Sequence, residues 1–218
     1  MALVLAIANH KGGAGKTTVT VQTAAALARA GKRVLVVDLD PQANATEGLG
    51  LLEDPDFPRP GLVEAWDRTR NPSLSAASVV SRCGWLDASG VATTEADLID
   101  VIPARFDLEN EELRWQDADA KHRLTLSLEG WADAYDVVLV DTRPSLGLLV
   151  AEAFMAADAV LIVTEPGRRS LYGAKRVYDF VSQLARRGNP RLNIVTYIRF
   201  MTFYGIVFIY HHYGSSTR

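Results

Sequence analysis

Short apolar runs rich in β-branched residues recur along the chain at Leu3–Ala8, Val34–Val37, Leu98–Ile102, Val137–Val140 and Ala159–Val163. None alternates strictly between polar and apolar, so each reads as a strand buried on both faces, the habit of a parallel sheet. A sixth run, Leu192–Ile198, has the same character. Between these runs the period changes to that of a helix. Thr17–Ala30 is alanine-rich and ends at Gly31, a residue suited to the turn after a helix. Ser145–Ala157 and Ser170–Arg187 follow, the second stopping at Gly188. In the last of these, Leu171, Ala174, Val177, Val181 and Leu184 recur at helical spacing and define one apolar face. Strands alternating with helices predict an α/β fold with a doubly wound, mostly parallel sheet flanked by helices.

Two stretches carry a weaker pattern. Residues 51–97 are turn-rich around Pro55, Pro58 and Pro60, with a short helix expected at Leu62–Trp66. The acidic run from Asp107 to Asp119 predicts a solvated helix built around Leu108, Leu113 and Trp115.

The join between the first strand and the first helix reads Asn-His-Lys-Gly-Gly-Ala-Gly-Lys-Thr-Thr over residues 9–18. Strand, glycine loop and helix form the context that a phosphate-binding loop needs. Glycines let backbone N–H groups converge on phosphate oxygens, and the helix N-terminus adds free donors and a favourable dipole. Lys16 brings a point charge for the β- and γ-phosphates, and the Thr17 hydroxyl suits Mg²⁺. The loop departs from the usual G-x-x-x-x-G-K-[ST] pattern, because His10 stands at its first glycine position and a second lysine, Lys11, opens the loop. Lys11, Gly12, Gly13, Ala14, Gly15, Lys16, Thr17 and Thr18 are thus the candidate nucleotide-binding residues of a P-loop NTPase fold.

Two carboxylate motifs follow in order. The second strand runs into Asp38-Leu39-Asp40-Pro41-Gln42-Ala43-Asn44-Ala45-Thr46, and Val137–Val140 runs into Asp141. Carboxylates at the carboxyl ends of strands in an open α/β sheet face the ligand crevice. Beside a phosphate loop they suit a metal-bound water and an attacking water. The alternative for Asp38 and Asp40 is that they only cap the next segment.

These motifs resemble the ParA/MinD family of deviant Walker-A ATPases, and specifically its ParA branch. The resembling runs are K-G-G-A-G-K-T-T, D-L-D-P-Q-A-N-A-T, V-I-P-A at 101–104, Y-D-V-V-L-V-D-T at 135–142 and P-S-L-G-L-L at 144–149, so that the likeness covers residues 1–198. The resemblance implies that ATP and Mg²⁺ are the cofactors, with Lys16 on the phosphates and Thr17, Asp38 and Asp141 around the metal. It implies that Lys11 reaches the phosphates of a partner across a nucleotide-sandwich homodimer, and that Asp40 positions the attacking water. Lys11, Lys16 and Asp40 are then the catalytic candidates. It further implies non-specific DNA and a ParB-like centromere-binding protein as partners, plasmid or chromosome segregation as the task, and a cytoplasmic, nucleoid-associated protein with no membrane partner.

The chain departs from the family in two places. Arg143-Pro144 stands where Pro-Pro is usual after Asp141, which places an arginine either near the γ-phosphate or in solvent. Residues 199–218 match neither a helical pattern nor the family, so residues 1–198 form the expected ATPase domain and 199–218 an atypical, truncated or divergent tail. His211 and His212 are expected in a disordered tail rather than as metal ligands, and no adenine-contacting residue can be placed.

Composition narrows the alternatives. The chain has 218 residues, 48% of them hydrophobic and 22% charged, which suits a single domain with a substantial core. A single cysteine, Cys83, precludes an intramolecular disulfide and fits poorly with an iron–sulfur electron carrier. Leu3–Ala8 lacks a preceding basic segment and is too short for a signal peptide. Net charge is only −3, yet residues 166–218 carry 9 basic side chains against one acid, Asp179. On the helix at 170–187, Lys175 and Arg186 share one stripe and Arg176 and Arg187 a neighbouring one, which makes the four a candidate DNA-contacting patch or simply a solvated face. A MinD-like membrane-cycling regulator would need a basic amphipathic C-terminal helix, which Met201–Tyr210 does not supply. A P-loop biosynthetic enzyme and an inactive nucleotide-binding module stay open.

Overall fold

The computed structural model describes residues 1–52, 59–66, 75–114, 122–165, 167–203 and 206–212. Among them are strands β1 (Leu3–Ala8), β2 (Val34–Leu39), β3 (Ser81–Arg82), β4 (Ile99–Ile102), β5 (Val137–Thr142), β6 (Ala159–Thr164), β7 (Asn193–Phe203) and β8 (Ile206–His212). They form one sheet in the order β3-β4-β2-β5-β1-β6-β7-β8. The six strands from β4 to β7 pair in parallel, and β3 and β8 close the two edges antiparallel. The helices are α1 (Lys16–Arg29), α2 (Asn44–Gly48), α3 (Leu62–Trp66), α4 (Leu108–Arg114), α5 (Arg123–Leu128), α6 (Leu148–Ala156) and α7 (Arg168–Arg187).

The continuous apolar runs are explained by burial on both sides. Along β2, Val34 and Val36 pack with Val19, Ala24 and Ala28 of α1 on one face. Leu35, Val37 and Leu39 pack with Phe154 of α6 and with α3, α5 and α7 on the other. All six β2 residues are buried, as are all six of β6. The doubly wound fold expected from the alternation of elements is therefore the one observed.

The strands outlast their apolar runs at the carboxyl end. β2 and β5 stay paired through Asp38↔Asp141 and Leu39↔Thr142, so the backbone ladder carries polar residues into a buried edge. At other points the local pattern misleads. Leu171, read as part of the apolar face of α7, is 50% exposed; the buried residues are Ser170, Gly173, Ala174, Val177 and Val181. Small residues at 170 and 173 let the helix lie close to the sheet and rotate Leu171 outward. Arg123–Leu128 alternates polar and apolar like a strand, yet it forms α5 and buries Leu124 and Leu128, four residues apart. The acidic α4 is not fully solvated, since Leu108 and Glu111 are buried. Trp115 and the rest of that run, like Pro55 and Pro58, lie outside the described residues. β7 runs through the expected domain boundary after residue 198, and His211 and His212 lie in β8 rather than in a disordered tail, because the β8 backbone pairs with β7. Cys83 is buried, and burial pushes its thiol above the ordinary range.

Glu111 is buried for a reason. Arg123 bridges it and Glu152 of α6, at 3.1 Å from Glu111, and stacks its guanidinium 4.3 Å above the Trp66 ring. The cluster ties α3, α4, α5 and α6 together under the sheet. Arg123→Ala would remove the guanidinium that bridges two buried carboxylates, a loss on the order of 3–5 kcal/mol. Urea unfolding should show that loss; a change under about 1 kcal/mol would mean that the two carboxylates find other solvation.

Candidate nucleotide-binding site

The parallel ladder brings β1, β2 and β5 to a common carboxyl edge, with Ile7 beside Asp141 and Asp141 beside Asp38. The 9–18 loop leaves this edge and turns into α1. Gly13 and Gly15 adopt φ of +74° and +84°, a region that a Cβ disfavours. Gly15 caps α1 without a side-chain acceptor, so the first-turn N–H groups are not taken by a cap and face the loop. Ala14 and Lys16 are buried in this curl, at 1% and 6% exposure.

Behind the loop lies a compact polar cluster. Asp141 accepts from the Thr17 hydroxyl on one oxygen and from the Thr20 hydroxyl on the other, both at 2.8 Å. Asp38 accepts from the Asp40 N–H at 3.0 Å, from the Thr46 N–H at 2.9 Å and from the Thr46 hydroxyl at 2.8 Å. Thr46 in turn accepts from the Ala104 N–H at 3.0 Å, which ties α2 to the end of β4. Asp40 receives the Gln42 N–H at 3.1 Å. Burial lowers the affinity of Lys16 for its proton, and the carboxylates of Asp141 and Asp40 work against that loss. Burial and then the facing Asp141 push Asp38 up to about 7. Burial pushes Asp141 to about 6, although Thr17, Thr20 and Lys16 favour its charged form.

The front half of the loop is fastened to α7 instead. Asn9 is 1% exposed; its Oδ1 accepts the Lys11 N–H at 2.8 Å, and its Nδ2 donates to the Val163 carbonyl. A Cβ on Gly173 would stand 2.7 Å from that Oδ1, so the helix needs glycine there. Lys11 pairs with Glu165, and Arg176 donates to His10 Nε2 at 3.0 Å. The site residues chosen from sequence therefore gather at one edge, and of the four basic residues of α7 Arg176 reaches it through His10. Of these, Lys175 pairs with Asp179 and Arg176 also lies over Tyr172, while Arg186 and Arg187 are exposed in the last turn. Arg143 stands 3.7 Å from Glu109 of α4. Asn9, Thr20, Thr46, Glu165, Ser170 and Gly173 are functional positions that the motifs do not single out, although Asn9 lies inside the 9–18 run and Thr46 inside the run from Asp38.

The family profile described as an AAA domain matches residues 2–194. The sporulation initiation inhibitor protein Soj of Bacillus subtilis is 35% identical over 195 residues, which cover 89% of this chain and 70% of that protein. The chain belongs to the ParA/MinD family. The chromosome partitioning protein ParA of Caulobacter vibrioides is 36% identical over 194 residues, covering 88% of this chain and 66% of that one. Among solved structures, the cobyrinic acid a,c-diamide synthase of Mycobacterium smegmatis, with bound ADP and magnesium, is 29% identical with a TM-score of 0.77, over 91% of this chain and 74% of that one. This ParA-family chain is a P-loop NTPase by fold and by motif. Among its described residues no helix is long and apolar enough to cross a membrane.

The donor set fits Mg²⁺. A hydroxyl, one or two carboxylates and substrate oxygens are what Mg²⁺ ordinarily takes. The raised carboxyls have a consequence for the metal-free protein. A folded state that holds protons already released by the unfolded chain is favoured in acid and loses that advantage as pH rises. For Asp38 and Asp141 the loss runs from about pH 4 to about pH 7. Asp38→Asn should flatten the decline of stability over that range by up to roughly 1.4 kcal/mol per pH unit. Urea midpoints measured without Mg²⁺ check this, and parallel profiles for the two proteins would contradict it.

Proposed function

We propose that the chain is a DNA-partitioning ATPase that binds ATP–Mg²⁺ in the 11–18 loop, dimerises in that state, binds DNA without sequence preference and is reset when a ParB-like partner stimulates hydrolysis. It would work in the cytoplasm, on the nucleoid. The observation that carries the reading is the Lys16–Thr17–Asp141 cluster at the carboxyl edge, beside Asp40, in a chain about 35% identical to Soj.

Each residue has a part in this reading. The backbone of Gly12, Gly13, Ala14 and Gly15 and the N–H groups of Lys16, Thr17 and Thr18 cradle phosphate oxygens, and the Lys16 ammonium neutralises them. Thr17 and Asp141, with Asp38 beside it, would hold Mg²⁺, which would supply charge stabilisation to the phosphates. Asp40 orients the attacking water, its carboxylate steadied by the Gln42 N–H. Lys11 crosses to the phosphates of the second copy. Arg168 and Arg169 lie in the first turn of α7, where the dipole disfavours cations, an arrangement that an anionic partner relieves.

A biosynthetic P-loop enzyme is the second reading, favoured by the 29% identity to the diamide synthase. It expects hydrolysis that ignores DNA and rises only with a small-molecule substrate. The D-P-Q-A-N-A-T run favours partition.

Lys16→Ala should weaken ATP binding about 100-fold or more in calorimetry. Asp40→Ala should keep ATP affinity while phosphate release falls to background. Turnover at the normal rate in Asp40→Ala would remove Asp40 from the mechanism, and unchanged ATP affinity in Lys16→Ala would remove the loop.

DNA binding should fall with salt at a log–log slope of about −0.9 per phosphate neutralised. Replacing Lys175, Arg176, Arg186 and Arg187 with Ala should flatten that slope and leave ATP binding intact. Filter binding across a salt series tests it; an unaltered slope makes the four residues ordinary surface.

A further inference from the structure

Lys11 opens the phosphate loop, yet its ammonium is held by a carboxylate of its own chain. The partner is Glu165, one residue past the end of β6. Both backbones are fixed. The Lys11 N–H is bound by Asn9, which is itself bound to Val163 of β6. The Glu165 N–H donates to Ser170 Oγ at 3.1 Å, and Ser170 lies in the first turn of α7. Only side-chain freedom is lost when the pair forms. The pair is open to solvent, at 39% and 32% exposure, so an incoming anion can compete for the lysine. A carboxylate at the mouth of a phosphate loop repels phosphate, so Glu165 does not serve to grip the nucleotide.

We propose that Glu165 is a positioning residue that keeps Lys11 inside its own subunit and so sets the threshold for pairing with a second copy of this chain. The proposal rests on the reading in which Lys11 reaches a partner's phosphates. Pairing then exchanges the Glu165 carboxylate for phosphate oxygens. A two-fold dimer makes that exchange twice. A half-exposed ion pair corresponds to a factor of about two to five, so two of them shift dimerisation by roughly four- to twenty-five-fold.

The test compares the 218-residue chain with Glu165→Gln, Lys11→Ala and the double variant, at saturating ATP and Mg²⁺, by sedimentation over a range of protein concentrations. Glu165→Gln should dimerise at a concentration lower by that four- to twenty-five-fold, and the substitution should do nothing once Lys11 is alanine, because the one acts through the other. Dimers of equal or lower strength in Glu165→Gln, or the same shift with and without Lys11, overturn the proposal. No ATP-dependent dimer in either the parent or Glu165→Gln overturns the dimer reading and the proposal with it. A second measurement needs no dimer. In the ATP-free monomer, an amine-acylating reagent should modify Lys11 about two- to fivefold faster in Glu165→Gln, read by peptide mass analysis. Equal rates mean that Glu165 does not hold the lysine, and the proposal falls.

Discussion

Two carboxylates side by side on neighbouring parallel strands set the terms for the rest of this molecule. Asp38 and Asp141 are in register and both are fully buried. Each would cost several kcal/mol to ionise without compensation. The compensation comes from four different elements: Thr17, Thr20 and Lys16 of α1, Thr46 of α2, the backbone after β2 and, through Thr46, the start of the segment after β4. The cluster therefore fixes where α1 and α2 begin relative to the sheet. It also sets Asp38, Asp40 and Asp141 close together around the buried Lys16, an electrostatic demand that a divalent cation meets.

The phosphate loop is held from two sides by different chemistry. Its rear, from Lys16 to Thr20, is tied to the carboxylates of β5. Its front, from Asn9 to Lys11, is tied to β6 and α7 through Val163, Glu165, Gly173 and Arg176. α7 also carries much of the chain's positive charge outside the acidic first 165 residues. The connection between α7 and the loop is through direct contacts, each within one or two residues of the loop.

The buried Arg123 cluster serves a different purpose. It lies among α3, α4, α5 and α6 and joins segments whose own sequences are too short or too polar to specify a position. α3 has 5 residues and α5 has 6, below the length at which helices hold themselves together. Ionic and aromatic contacts give them an address that apolar patterning alone would not.

The six parallel strands, α1, α6, α7, the loop and the carboxylate edge were legible in the sequence, whereas the antiparallel edge strands β3 and β8 were not. Buried parallel strands need unbroken apolar runs, and phosphate loops need glycine and lysine at fixed steps, so both leave a local mark. α3 was legible for the same reason, as Leu62, Ala65 and Trp66 bury one face. α5 was not, because its alternating Leu residues mimic a strand until packing against α6 selects the helix. Leu171 was misjudged because helical periodicity gives a face but not the rotation of the helix, which Ser170 and Gly173 settle through close contact with the loop. Glu165 and Asn9 gain their meaning from residues 154 positions away in the chain. Sequence by itself determined the class of fold and the phosphate chemistry, since those depend on neighbours along the chain. Which acid holds Lys11, which threonines hold Asp141 and which face α7 turns outward were decided only by the tertiary structure, because they depend on which strands lie side by side.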